Sequence, residues 1–136
     1  MPNLITISAT VHAPIEKIWE YWNSPEHIMQ WNNASPDWHT PYATSDLQVG
    51  GKFTSRMEAK DGSFGFNFEG VYDEVETNKL IRYTIADGRK VTVVFELTSG
   101  AVLITESFEA ENQHSIEMQQ AGWQAILNNF KQYVES

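Results

Sequence analysis

The 136-residue sequence contains no cysteine, which excludes disulfide bonds, a thiol nucleophile and thiolate metal ligands. It also has no uninterrupted apolar stretch long enough to cross a bilayer. The first residues, MPNLITISATVHAP, lack the basic and apolar regions of a secretory signal. We therefore expect no membrane insertion, and we expect a soluble, cytoplasmic protein.

Basic residues are scarce, with 9 lysines and arginines against 18 acidic residues and a net charge of −9. The nine bases are scattered along the chain instead of forming a cluster. Because nucleic acids and anionic lipid surfaces both need clustered positive charge, we predict that neither is a partner.

Motifs for metal or phosphate binding are missing as well. No HxH or HExxH spacing joins the four histidines, and Gly50-Gly51 lacks the lysine, serine and following helix of a phosphate loop. We therefore predict neither a metal site nor a cofactor.

Aromatic residues are abundant: the chain has five tryptophans, five tyrosines and seven phenylalanines. Together with a hydrophobic content of 41%, this composition is typical of a folded protein with one core. Because we find no repeat, linker or low-complexity segment, we predict a single domain spanning residues 1–136.

Residues 4–31 change from one periodicity to another. LITISATV, residues 4–11, alternates as a half-buried strand does. From Pro14 to Asn23 the apolar residues follow helical spacing, and Ser24-Pro25-Glu26 is typical of the start of a second helix. The sequence therefore predicts one strand followed by two short helices.

The rest of the chain predicts a meander and a terminal helix. Five extended segments, separated by turn signals such as Asp61-Gly62 and Asp87-Gly88, run from residue 52 to residue 110. Residues 115–136 carry apolar residues at helical spacing. We predict an α+β fold in which a curved antiparallel sheet of about six strands wraps around the long C-terminal helix.

The segment HIMQWNNASPDWHTPYA, residues 27–43, carries Trp31, Trp38 and Tyr42. Because Pro36 and Pro41 prevent one continuous helix, we predict that a loop forms most of this segment. We expect the loop to lie at one mouth of a space between the sheet and the long helix.

Five segments together resemble a known family. They are HAPIEKIWEYW, HIMQW, DLQVGGKF, EGVYDEV and QQAGWQAILNNFKQYVE, which span almost the whole chain. The chain resembles the helix-grip superfamily of START and birch-pollen-allergen proteins (SRPBCC). Within that superfamily it is most similar to the bacterial single-domain type of the family named for the activator of the heat-shock-protein-90 ATPase (AHSA1-like). Gly122-Trp123 in the last helix is the most specific element of the match.

The resemblance implies a helix-grip fold with a cavity that takes a small apolar or amphipathic molecule, and it leaves the reaction open. From the pattern and the resemblance we predict a hydrophobic ligand-binding site. Its candidate residues are Trp31, Trp38, Phe53, Met57, Phe66, Phe68, Tyr83, Phe95, Met118 and Trp123.

Three functions stay open at this point. The first is non-catalytic ligand binding, the second is a cyclase or isomerase, and the third is a protein-binding module in contact with a chaperone. The quaternary state, monomer or homodimer, is also open. Asp37 and His39 could exchange a proton with a substrate, although we expect a solvated loop pair.

Several orientations are ambiguous from the sequence. Alternation favours an outward Arg56, whereas Arg82, Glu69 and Glu106 fit either face of the sheet. We expect Gly122 to permit close packing of the last helix.

Overall fold

Residues 3–136, which the computed structural model describes, form seven strands and three helices. In chain order they are β1 Leu4–Val11, α1 Ile15–Asn23, α2 Pro25–Trp31, β2 Trp38–Ser45, β3 Lys52–Ala59, β4 Gly65–Glu76, β5 Leu80–Ile85, β6 Lys90–Thr98, β7 Ala101–Glu109 and α3 Ile116–Glu135.

The seven strands form one antiparallel sheet in the order β1-β7-β6-β5-β4-β3-β2. Six consecutive strands follow one another as a meander, and β1 joins the far edge by pairing with β7. The sheet curves into a half-barrel, and α3 packs against β1. The predicted α+β helix-grip fold, with two short helices after the first strand, is confirmed.

One strand, β2, was not predicted from the sequence. Its sequence WHTPYATS contains Pro41 and shows no clean alternation, which argued for a loop. The structure places β2 at the edge of the sheet, and its register with β3 shifts between His39 and Tyr42. An edge strand with an irregularity tolerates a proline, because the missing backbone donor then breaks no central hydrogen bond.

Part of the interior is tightly filled by side chains from α1, α3 and the sheet. Ile18 and Phe130 are fully buried. The ring of Phe130 meets Trp22 and Trp31 edge-on, with centroid separations of 4.8 Å in both pairs. Such edge-to-face contacts suit the charge distribution of aromatic rings and add to the stability from burial.

The three phenylalanines at the start of β4 do not share one buried face. Phe64 lies in the turn before the strand and is 63% exposed. Phe66 and Phe68 both belong to β4, but only Phe68 is partly buried in the core. The spacing of Phe64, Phe66 and Phe68 in the sequence predicts a common inward face, and this prediction is wrong for Phe64 because the strand begins one residue later.

Two glycines differ from what the sequence suggests, which is close helix packing at Gly122 and a bulge or bend at Gly70. A Cβ atom on Gly122 would have nothing within 4 Å, so this residue does not permit close helix packing as expected. A Cβ on Gly70 would lie 2.5 Å from the Thr84 carbonyl oxygen and 3.0 Å from the Phe53 ring. Gly70 therefore allows a close approach of β4 to β5, while the irregularity in that pairing lies between Tyr72 and Glu74.

Within residues 3–136, none of the helices is both long enough and apolar enough to cross a membrane.

Candidate functional site

A cavity of about 290 Å³ lies between the sheet and the helices. All three helices and strands β3, β4, β5 and β7, with the turn between β5 and β6, contribute to its walls. The lining residues are Trp22, Asn23, Ile28, Trp31, Asn32, Phe53, Ser55, Met57, Phe66, Phe68, Tyr72, Ile81, Tyr83, Arg89, Glu106, Trp123, Ile126 and Leu127.

The helical wall of the cavity comes from one face of α3. Trp123, Ile126 and Leu127 line it, and residues spaced by three and four positions lie on the same side of a helix. The Trp123 ring stacks on Phe108, with centroids 3.9 Å apart, and meets Phe68 edge-on at 5.9 Å. The tryptophan is therefore held in one orientation with part of its surface left to the cavity.

The cavity opens towards Phe66. This residue is 41% exposed, whereas every other lining residue is buried or half-buried. Phe66 also packs against Trp38, with ring centroids 6.1 Å apart. Trp38 therefore stands beside the opening without belonging to the walls.

One carboxyl group, that of Glu106, faces this largely apolar space. Glu106 lies on β7 between the fully buried Ile104 and Phe108 and is itself only 6% exposed. Within residues 3–136 the carboxyl group forms no ion pair and no hydrogen bond. In this range, every side-chain oxygen that is fully enclosed by protein has a hydrogen-bond partner. The Glu106 oxygens have none, so they are not fully enclosed and must border the cavity space.

Burial raises the pKa of Glu106 from about 4.5 to about 8. Removing a carboxyl group from water penalises its charged form, and nothing nearby compensates for that penalty. At neutral pH the group is therefore mostly a protonated acid, which can donate a hydrogen bond. A buried titratable group with a displaced pKa in a cavity is a candidate functional residue.

Two hydroxyl groups accompany Glu106 along the walls. Tyr83 on β5 and Ser55 on β3 are both buried, and neither hydroxyl has a hydrogen-bond partner in the described part of the chain. Burial raises the pKa of Tyr83 well above its usual value, and the negative charge of Glu106 raises it further. Tyr72 differs, because its hydroxyl lies 2.8 Å from Ser45 Oγ and shares a hydrogen bond with it.

Seven of the ten predicted ligand-binding residues line the cavity. They are Trp31, Phe53, Met57, Phe66, Phe68, Tyr83 and Trp123.

The other three predicted residues lie elsewhere. Phe95 is buried in the filled part of the core, where it meets Trp19 and Trp22 edge-on. Met118 is 61% exposed in the first turn of α3, so its side chain points away from the interior. Trp38 begins β2 and contacts Phe66 outside the lining. Periodicity alone could not separate a core position from a cavity position, because both face inward.

The sequence interpretation left the orientation of Glu106 open and did not include it among the candidate residues, although a signal was present. In AVLITESFEA the residues Val102, Ile104 and Phe108 alternate on one face, and Glu106 has the same phase. Alternation therefore placed this carboxyl among buried residues. A charged residue in phase with a core stripe is a stronger indication of a site than another aromatic ring, because burying it unpaired is costly.

The remaining polar candidates face solvent or lie outside the lining. Asp37 and His39 flank Trp38, and His39 Nε2 lies 3.8 Å from a carboxylate oxygen of Glu58. Neither residue lines the cavity. Arg56 donates to Glu58 at 2.8 Å on the outer face of the sheet, as alternation favours. Arg82 is exposed and binds Glu74 at 3.0 Å.

No cluster of three or more histidine, aspartate or glutamate side chains in the described range is placed to hold a metal ion.

Comparison with known proteins agrees with this architecture. The family described as "Activator of Hsp90 ATPase homolog 1-like protein" matches residues 12–135. The chain belongs to this family. The resemblance read from the sequence is thereby confirmed, and members of this fold commonly bind ligands or partners.

Solved structures of relatives show the same fold. The AHSA1-like protein from Aeromonas hydrophila, determined by NMR in solution, is 47% identical, with a TM-score of 0.92 over 98% of this chain and 92% of that one. A protein from Cytophaga hutchinsonii is 59% identical, with a TM-score of 0.85 over 96% of this chain and 91% of that one. No curated protein matches the chain with significance.

Proposed function

We propose that this protein binds a small apolar or amphipathic molecule in the cavity between the sheet and α3. The observation that carries the proposal is the cavity itself, about 290 Å³ of space walled by aromatic and aliphatic side chains. Interiors are normally packed with few voids larger than a water molecule, so a space of this size needs an explanation. Mostly apolar walls with a few converging polar groups are typical of small-molecule sites.

Native mass spectrometry of freshly purified protein is the first test. We expect a fraction of the protein to carry a mass adduct that organic solvent removes, because an apolar cavity retains an apolar molecule during purification. The same solvent extract, analysed by mass spectrometry, then identifies the molecule.

A titration with an apolar fluorescent probe is the second test, and it uses two tryptophans as a matched pair. Trp123 lines the cavity, whereas Trp38 lies beside its opening. We expect Trp123→Ala to weaken probe binding, measured as Kd, at least about tenfold more than Trp38→Ala does. Equal effects of the two substitutions, in variants shown by circular dichroism to be folded, would contradict binding in this cavity.

Proton transfer of the cyclase or isomerase kind is the second candidate function. The buried Glu106 carboxyl favours it, because a group with a pKa near neutrality can both accept and return a proton. An apolar methyl ketone incubated with the protein in deuterated buffer tests this activity by NMR. Faster exchange of the hydrogens beside the carbonyl in wild type than in Glu106→Gln would support catalysis, and equal rates would exclude it for that ketone.

A further inference from the structure

Glu106 is a buried polar side chain that the fold leaves without a partner. It is 6% exposed, lines the cavity, and forms neither an ion pair nor a hydrogen bond with any of residues 3–136. Its neighbours across the sheet, Ile7 on β1 and Val93 on β6, are buried and apolar. Buried polar groups in folded proteins are almost always hydrogen-bonded, so this carboxyl requires a partner from outside the chain.

Tyr83 and Ser55 have the same property in the same cavity. Tyr83 is 9% exposed and Ser55 is 5% exposed, and the described structure gives neither hydroxyl a hydrogen bond. Tyr83 pairs with Val91 on β6 and Glu106 pairs with Val93 on the same strand, so the two residues flank β6 with an offset of two residues in register. Three polar groups therefore border one space whose other walls are mainly apolar.

The charges around Glu106 do not favour its ionised form. The other titratable or charged groups in the lining are Tyr72 on β4, Tyr83 on β5 and Arg89 in the following turn. Arg89 already binds Asp87 Oδ2 at 2.8 Å and donates to the Glu109 carbonyl at 3.1 Å. The lining residues from α1, α2, α3 and β3 are uncharged. Glu106 is consequently a neutral acid at neutral pH, and its O–H is a donor.

These three groups can all donate hydrogen bonds, which decides the chemistry of a suitable ligand. A carbonyl oxygen accepts two hydrogen bonds and costs little to desolvate. An ammonium group would have to lose its own hydration and also ionise Glu106, at a cost that one ion pair often fails to repay.

We propose that Glu106, with Tyr83, forms a head site in the cavity that selects molecules carrying a carbonyl group on an apolar body. The proposal rests on the function proposed above and adds the class of ligand. Glu106 acts here as a specificity-determining residue that contacts the ligand.

Three naphthalene derivatives substituted at the same ring position provide the probes. Acetylnaphthalene carries the carbonyl, isopropenylnaphthalene replaces its oxygen by a methylene group, and naphthylmethylamine carries a cation. Kd is measured for each by tryptophan quenching. At about pH 6, where Glu106 is protonated, we expect wild type to prefer the ketone over the hydrocarbon about tenfold. At about pH 9 the preference should shrink, because the carboxylate no longer donates.

Variants of Glu106 provide the matched controls. Glu106→Leu should lose the preference for the ketone over the hydrocarbon, measured as the ratio of the two Kd values. Glu106→Gln retains an N–H donor of similar shape, so its preference should persist and become independent of pH. Tyr83→Phe should reduce the same ratio. Because Glu106→Gln changes the side chain least, its pH profile remains informative if Glu106→Leu does not fold.

The possible failures are distinguishable. If wild type binds the hydrocarbon but shows no preference for the ketone, the head site is wrong and ligand binding stands. If the amine binds more tightly than the ketone, and its affinity increases from about pH 6 to about pH 9, the site recognises cations and the proposal is overturned. If wild type binds none of the three probes, the binding function fails and the head site fails with it.

Discussion

The interior of this protein has two regions that differ in how completely side chains fill them. Beneath α1 and the C-terminal half of α3, Ile18, Phe130 and Val134 are fully buried among interlocking rings. Beside the central strands, Phe53 and Met57 face a cavity of about 290 Å³. One sheet therefore supports both a packed core and an open chamber, and a buried ring alone does not reveal which of the two it serves.

The difference follows from where the helices cover the curved sheet. The packed region receives the rings of Trp19, Phe95 and Phe130 from two helices and a strand, and Trp22 lies between this region and the cavity that it lines. The open region receives Trp123, Ile126 and Leu127 from α3, and these leave free space between the helix and β3 to β5. Buried polar side chains without a partner in the described part of the chain lie in the open region, because there a ligand or water can satisfy them.

The largest effect is expected from removing a ring in the packed region. Phe130→Ala should lower the free energy of unfolding by about 3 to 5 kcal/mol, because it leaves a void among rings that cannot collapse. Phe66→Ala is the same chemical change at the open end and should cost less than about 1 kcal/mol. Urea unfolding of both variants measures the contrast. Similar losses would mean that the two regions are packed alike.

The pH dependence of stability reports on the carboxyl in the open region. Below about pH 4.5 Glu106 is protonated in both the folded and unfolded states. Between that value and about pH 8 the unfolded chain releases the proton while the folded protein keeps it, so stability falls as the pH rises. The stability that the protonated Glu106 contributes is fully present below about pH 4.5 and is lost above about pH 8.

Glu106→Gln should remove this pH dependence. We expect the variant to exceed wild type by about 4 kcal/mol in unfolding free energy near the upper end of that range, and to match it near the lower end. Urea unfolding at several pH values measures the difference between the two profiles. Parallel profiles would show that water already solvates the carboxyl and that the cavity is wetter than its walls suggest.

Two glycines lie in contrasting environments, one in a crowded strand and the other on an open helix surface. Gly70→Ala should destabilise the protein by about 1 to 3 kcal/mol, because the new methyl group would press on the Thr84 carbonyl and the Phe53 ring. Gly122→Ala should stabilise it by up to about 1 kcal/mol, since nothing obstructs the methyl group and alanine favours the helix. Thermal unfolding gives both signs. A destabilised Gly122→Ala would point to a neighbour outside the chain.

The smallest effect is expected at Met118, with Met57 as its partner for comparison. Met57 is buried in the cavity wall, whereas Met118 is exposed on α3. Met118→Ala should change stability by less than about 0.5 kcal/mol and leave probe binding unaltered. Met57→Ala should change probe affinity, because it enlarges the cavity. Calorimetric titration with an apolar probe measures both, and a change at Met118 would extend the site onto the helix surface.

The order and type of most elements followed from the sequence alone. Two local patterns predicted them, alternation in LITISATV and the five later strands and helical spacing from Ile116 to Val134. Both patterns depend only on residues that are close together along the chain. Local chemistry also supplied the turns and the start of α3, where Ser115 accepts a hydrogen bond from the Met118 amide. The strand β2 was not predicted, because pairing with β3 stabilises a segment whose own pattern does not favour a strand.

The sequence also determined that the protein has an aromatic interior, whereas it left the orientation of Glu106 open. Tertiary structure alone decided that Phe95 fills the core while Phe53 borders open space, and that Met118 points outward. These outcomes depend on how far the curved sheet stands from α3 at each point, a distance that no local pattern contains. The same distance leaves the Glu106 carboxyl without a partner, and so turns one acidic residue of a strand into the centre of a candidate site.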